Sequence, residues 1–323
     1  MEAKDIQPCA RIIAAHPIIG PRYGSAIRDL GPAWLRLLGS DGFIASVFET
    51  VQEPKPQVVG VGISVFVTDA FIRELKAEPS FWIGPELTRR IMRGDFPTLS
   101  LKEIREANSG DGLNVAVWQT GALPEDLVQV EVSATIMNAF VAAHRGFRLR
   151  EIVTQAESAS HAYALGISGG FLWRRDHFED FENRALEELV REPHVIGVSR
   201  DLALMPPGSW IASMFLYKSP RFGFNPSEQR LLLSGLEGET DEELAKTLGI
   251  SIATVKKRWR AIYDRVASCA PELVLYEEQE AGPERGKQKK QRLLAYLRDH
   301  PEELRPVRRA RLKKSAILSP PRV

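Results

Sequence analysis

The residues best able to do chemistry lie near the C-terminus, where Lys256, Lys257, Arg258 and Arg260 fall within five positions. Permanent cations at that density suit one task above others: donating hydrogen bonds to phosphate oxygens and base edges. On a helical projection of about 100° per residue, Val255, Trp259, Ile262 and Val266 fall within roughly a 60° arc. Lys256, Lys257 and Arg260 then lie on the far side, while Arg258 and Arg265 flank the apolar stripe. One side fixes the pose and the other carries cations to a partner, which is the layout a DNA recognition helix needs.

Elsewhere the candidate groups are isolated. His144-Arg145-Gly146 follows an apolar-faced helix, and His, Arg and Gly are the residues that close a helix C-terminus, so capping is their expected role. Glu157 and His161 have acid–base spacing, but helix surfaces carry such pairs routinely. Asp176-His177 with Glu179 and Asp180 would diverge on a helix rather than converge on a metal. Ser158, Ser160 and Ser168 lack a nucleophile elbow, and Gly60-x-Gly62 and Gly169-Gly170 complete no phosphate loop. Asp69 ends an apolar strand without the N-terminal acidic pair of a phospho-acceptor domain. No catalytic residue, metal or cofactor is expected, and the chain reads as a non-enzyme.

The elements around the basic helix carry their own signals. Asn225-Pro226 opens a helix containing Leu231, Leu232, Leu233 and Leu236, closed by Gly238. Thr240 and Glu243 form a capping box for a short second helix bearing Leu244 and Leu248. Gly249 turns the chain and Ser251 caps the third helix, a helix-turn-helix pattern. Upstream, the expected order is helices at Ile6–His16 and Ser25–Leu38 (interrupted at Gly31-Pro32), then strands at Phe43–Phe48 and Gln57–Thr68. Helical stretches follow over Phe71–Met92, broken near Pro79 and Gly84-Pro85, and over Ser100–Asn108. A strand at Leu113–Thr120, a helix at Ser133–Arg145 and a strand at Arg148–Gln155 come next. A short helix at Ser158–Leu165, an acidic helix at Phe178–Arg191 and strands at His194–Leu204 and Trp210–Tyr217 complete the pattern. The strand at Gln57–Thr68 is apolar on both faces, so it belongs inside its sheet, and its Gly60 and Gly62 suggest a bulge or a close neighbour. This is an α/β domain with a mixed sheet. Its aromatic residues, Phe43, Phe48, Phe66, Phe71, Phe81, Trp82, Phe96 and Trp118, are core material that can also line a ligand pocket.

With 323 residues the chain has room for two or three domains. Three are expected: an α/β domain over 1–217, a DNA-binding unit over 218–276 and a basic tail over 277–323. A net charge of +1 conceals a tail from Arg285 onward in which 13 Lys and Arg face three acids. The tail helix, with Leu293, Leu294 and Leu297 on one side, can dock on the DNA-binding unit or pair with a second chain. Arg308–Lys314, RRARLKK, reads as a flexible arm for phosphates. Cys9 and Cys269 form no paired motif, and there is neither a signal-peptide pattern nor a membrane-length apolar run, so a cytoplasmic location is expected.

Two resemblances extend this reading. Residues Pro226, Glu228, Leu232, Gly238, Thr240, Glu243, Leu244, Ala245, Leu248, Ile250, Ser251, Thr254, Val255, Lys256, Ile262 and Arg265 match the pattern of the LuxR/GerE-type helix-turn-helix of bacterial transcription regulators. That resemblance implies a four-helix domain that binds double-stranded DNA, commonly as a homodimer. Thr254 would contact phosphate, and Lys256, Lys257 and Arg260 would face the major groove; with Arg258 and Arg265 these are the candidate DNA-binding residues. More weakly, residues 5–171 resemble a GNAT acyltransferase-like fold, with Gly169-Gly170-Phe171 after its last helix. That family holds its cofactor pyrophosphate on a glycine-containing loop after the strand at Leu113–Thr120. Here Pro124–Glu131 has no glycine and three carboxylates, Glu125, Asp126 and Glu131, which repel phosphate. The implied version is degenerate and non-catalytic. The expected function is a sequence-specific transcriptional regulator whose α/β domain senses a small molecule or partner. An acyltransferase carrying a DNA-targeting module is the alternative, and a ligand-free architectural regulator a third.

Overall fold

The computed structural model describes residues 1–50, 57–77, 81–122, 130–156, 194–205, 211–274 and 285–308. The expectations at Pro124–Gln129, Glu157, Ser158, Ser160, His161, Ser168, Gly169-Gly170-Phe171, Asp176-His177, Glu179, Asp180 and Phe178–Arg191 lie outside the described residues. So do the side chain of Glu131 and the tail beyond Arg308.

Five strands form one mixed sheet whose spatial order follows the chain: β1 (Phe43–Glu49), β2 (Val58–Val67), β3 (Leu113–Ala122), β4 (Leu149–Ala156) and β5 (His194–Ser199). All neighbours are antiparallel except β3 and β4. A parallel pair requires a crossover, and helix α7 (Val130–His144) lies in that connection. The helices introduced before it are α1 (Ile6–Ala15), α2 (Ile19–Tyr23), α3 (Leu30–Leu37), α4 (Asp69–Lys76), α5 (Ile83–Arg93) and α6 (Leu101–Ser109). Val61, Ile63 and Val65 of β2 face α1, α3, α4 and α5, whereas Phe66 joins Val115, Ile152 and Phe147 in a second core on the other face. Both faces of β2 are therefore covered, as its uninterrupted apolar sequence requires. Gly60 answers to a close neighbour, since a Cβ there would touch the Gly121 carbonyl oxygen at 3.3 Å. A register shift against β1 also leaves Val59, beside Gly60, as an extra residue of β2, and a second shift between Ile63 and Ser64 leaves Trp118 as the extra residue of β3.

Several expectations are corrected. The breaks expected at Gly31-Pro32 and Gly84-Pro85 fall just ahead of them. A 3-10 turn over Gly24–Asp29 gives way to α3 at Leu30, and among the described residues helix resumes after α4 only at Ile83. Both pairs thus sit in the first turns of α3 and α5, where backbone N–H groups have no helical partner to lose. The strand expected over His194–Leu204 stops at Ser199, whose hydroxyl accepts from the Leu202 N–H and caps α8 (Arg200–Leu204). Trp210 lies outside the described residues, and the rest of the strand expected over Trp210–Tyr217 is replaced by a helical turn, α9 (Ala212–Phe215). Met214 and Phe215 are both buried there, and adjacent residues cannot both face inward on a half-covered strand.

The C-terminal unit contains α10 (Pro226–Leu236), α11 (Asp241–Thr247), α12 (Ile252–Cys269) and α13 (Arg285–Asp299). Asn225 accepts from the N–H groups of Ser227 and Glu228 while Glu228 returns a bond to the Asn225 N–H, a capping box that fixes where α10 starts. The Thr240–Glu243 box and the Ser251 cap do the same for α11 and α12. Leu231, Leu244, Val255, Trp259, Ile262 and Val266 share one core with Leu293, Leu294 and Leu297 of α13. The tail helix thus docks on the same unit within one chain, and the core reaches well into the 277–323 segment.

Candidate functional site

Two sites emerge, a basic helix face and an interior cavity. On α12 the buried residues are Val255, Trp259, Ile262 and Val266, the stripe given by the projection. Lys256, Lys257 and Arg260 are exposed on the opposite side, and Arg258 is half-buried at the edge. Thr254, also half-buried, lies one turn into the helix with its hydroxyl 2.9 Å from that of Ser251. Arg265 is placed differently: its guanidinium donates to the buried Glu228 carboxylate at 3.3 Å, tying α12 to α10. Its position near the stripe makes it a brace within the unit.

The cavity, about 730 Å³, lies where the sheet parts. Pairing of β3 with β4 runs only as far as Ala116 and Val153. Beyond that point Val117–Thr120 and Thr154-Gln155 line the opening, joined by α2, the start of α5 and the inward face of α7. Glutamines help hold the wedge. Tyr23 Oη donates to Gln119 Oε1 at 3.1 Å, and burial pushes the Tyr23 phenol well above its usual range. Gln155 accepts from the Ile83 N–H at 2.7 Å and donates to the Phe81 carbonyl at 2.6 Å. Of the aromatic set, Phe48, Trp82 and Trp118 line the cavity, while Phe96 is exposed.

The inner wall carries a polar pair. Ser64 Oγ lies 2.8 Å from His144 Nε2, and His144 Nδ1 lies 2.7 Å from the Phe140 carbonyl. That carbonyl can only accept, so Nδ1 bears the proton. His144 is 1% exposed, and burial holds its pKa down to about 4 against the opposing bond to Phe140, with the Arg305 charge adding a smaller push downward. The neutral ring leaves Nε2 as an acceptor for the Ser64 hydroxyl. Of the set expected to cap the helix, Gly146 does so, in a left-handed conformation at φ 83°, whereas His144 points inward and Arg305 takes the last carbonyls. The missed signal was helical phase: His144 stands four residues after Phe140 and eight after Ile136, on the apolar face of α7.

A short segment joins the two sites. After α13, the 3-10 turn Pro301–Leu304 crosses between the sheet domain and α10. The buried Glu303 carboxylate accepts from the N–H groups of Arg221 and Phe222 at 2.7 and 3.0 Å, and burial raises its pKa. Arg305 donates to the carbonyls of Arg145 and Ala142 at 2.9 and 3.1 Å, with its guanidinium 4.5 Å from the Phe147 ring centre. Those carbonyls end α7 and have no helical donor of their own. Asn108 donates to the Pro306 carbonyl at 2.9 Å, and Gln229 of α10 donates to that of Arg305 at 3.0 Å.

Among the described residues, no three His, Cys, Asp or Glu side chains converge as a metal site would require, and no helix is long and apolar enough to cross a membrane. No protein-family model and no curated protein matches the chain.

Proposed function

We propose that the chain is a sequence-specific DNA-binding transcriptional regulator, with α12 as its recognition helix and the cavity as its sensor. The observation that carries the reading is the division of α12. Lys256, Lys257 and Arg260 are exposed together while the opposite face is locked into a core built from α10, α11 and α13. A rigid helix with an outward basic face fits a major groove, and Arg258 at its edge reaches phosphate. The LuxR-type resemblance supports a homodimer on double-stranded DNA and a bacterial, cytoplasmic setting. His144, Phe140 and Met137 of α7 wall the cavity while Arg305 holds the end of the same helix. A small molecule that shifts α7 would therefore pull on the segment that packs against α10.

The test is selection of random duplex DNA on the full chain, repeated with Lys256, Lys257 and Arg260 all replaced by Ala. A single enriched motif with two-fold symmetry, lost in the triple variant, is expected. No enrichment, or enrichment indifferent to the substitutions, refutes the reading. One observation favours the second reading, a GNAT-like acyltransferase fused to a DNA-targeting unit: the cavity sits in a wedge between two parallel strands. Calorimetric titration with acyl-CoA decides between the two, since a saturable heat with turnover supports the enzyme.

A further inference from the structure

The lining of the cavity restricts what can enter it. Among the described residues, Arg22 is the one permanent charge on the lining, and its guanidinium lies over the Trp82 ring, 3.9 Å from the centroid. No carboxylate among the described residues lines the cavity. Ile44, Phe48, Ile63, Val117, Ile136 and Phe140 make most of the remaining wall apolar. An ionised group carried to the inner wall would lose its water beside Ser64 and His144, two neutral groups that cannot replace it with opposite charge.

The polar pair restricts the ligand further. With Nδ1–H committed to the Phe140 carbonyl, Ser64 and His144 together offer one proton, on the serine, and two accepting atoms, Oγ and Nε2. If the serine hydroxyl turns toward a ligand acceptor, Nε2 is left buried and bare. If it stays on Nε2, Oγ can only accept. Either way a ligand satisfies the pair by donating. A ligand with acceptors alone either leaves the pair's own bond in place and gains no hydrogen bond from it, or takes the serine proton and leaves Nε2 bare. We infer that the cavity binds an uncharged, largely apolar small molecule whose hydroxyl or N–H group donates to the Ser64–His144 pair. This rests on the sensor reading for its purpose, but the binding itself can be measured without DNA.

Naphthol, its methyl ether, naphthoate and naphthylmethylamine serve as probes, titrated into the full chain by calorimetry at neutral pH. Apolarity alone favours the ether, which is larger and less polar, so the sign of the naphthol–ether difference is diagnostic. Naphthol should bind about tenfold or more tightly than the ether, with both ionised probes also weaker. His144→Leu should erase the preference, because Ser64 is then free to donate. Ser64→Ala should keep it, because Nε2 still needs a donor, and this second variant carries the test should His144→Leu fail to fold. Equal or tighter binding of the ether, tightest binding of naphthoate, or no binding of any probe overturns the inference. A chain that binds naphthol with this pattern yet selects no DNA leaves the inference standing and removes the regulator reading. One that selects DNA and ignores every probe does the reverse.

Discussion

The packing of the sheet domain against the segment after α13 can be tested by one added methyl group. Gly146 and Gly94 both have φ 83°, so alanine at either incurs the same left-handed strain of roughly 1–2 kcal/mol. They differ in surroundings. A Cβ at Gly94 meets nothing within 4 Å, whereas one at Gly146 would lie 2.5 Å from the Glu302 nitrogen and 2.6 Å from the Pro301 carbonyl carbon. Those are backbone atoms that cannot swing aside, so overlap should add roughly 1–3 kcal/mol, or expel the segment. Gly146→Ala should therefore destabilise by roughly 2–5 kcal/mol and Gly94→Ala by only the strain. Urea unfolding followed by tryptophan fluorescence gives the comparison, and hydrogen exchange at Phe147–Leu149 and Glu303–Arg305 shows whether the segment has lifted. Equal midpoints with unchanged exchange would refute the packing of Pro301–Leu304 on the end of α7, and with it the proposed route from cavity to DNA-binding unit.

Further outcomes are expected. Lys257→Ala and Arg260→Ala should each weaken specific DNA binding by about 1–3 kcal/mol while leaving thermal melting unchanged, since neither faces the core; wild-type affinity in both would remove α12 as the recognition helix. Ile262→Ala takes a fully buried side chain from the shared helical core and should cost roughly 2–5 kcal/mol, read as an earlier melting transition. His144 has a folded pKa below its ordinary value of 6.5, so the unfolded chain takes up the proton first as pH falls. Its contribution is fully present above pH 6.5 and is lost toward pH 4, in total about 3 kcal/mol. A stability–pH curve for His144→Gln as steep as the wild type in that window would exclude His144 as the source. Deleting 309–323 removes Arg309, Arg311, Lys313, Lys314 and Arg322. The log–log salt dependence of DNA affinity should flatten by about 0.9 for each phosphate that the shortened chain no longer neutralises. An unchanged slope would mean that the tail does not touch DNA.

What the sequence determined by itself was local. The helix start at Asn225-Pro226, the capping box at Thr240–Glu243, the turn at Gly249 and the phase of Val255, Trp259, Ile262 and Val266 are short-range signals, and each stands in the structure where the sequence put it. The apolar run of β2 announced a strand covered on both faces for the same reason. The errors came where a local signal has two outcomes. Gly-Pro opens a helix as readily as it breaks one, and the buried neighbours Met214 and Phe215 can belong to a turn or a strand until the packing surface is known. The cavity was decided only by tertiary structure. Ser64 and His144 are 80 residues apart, and nothing local says that a strand and a crossover helix will set them 2.8 Å from each other. Arg305 reads as one more tail cation; only the fold brings it to the bare carbonyls of α7 across 160 residues of chain. Pairings of that range depend on where the sheet parts and which helix ends lack donors, which are properties of the assembled chain.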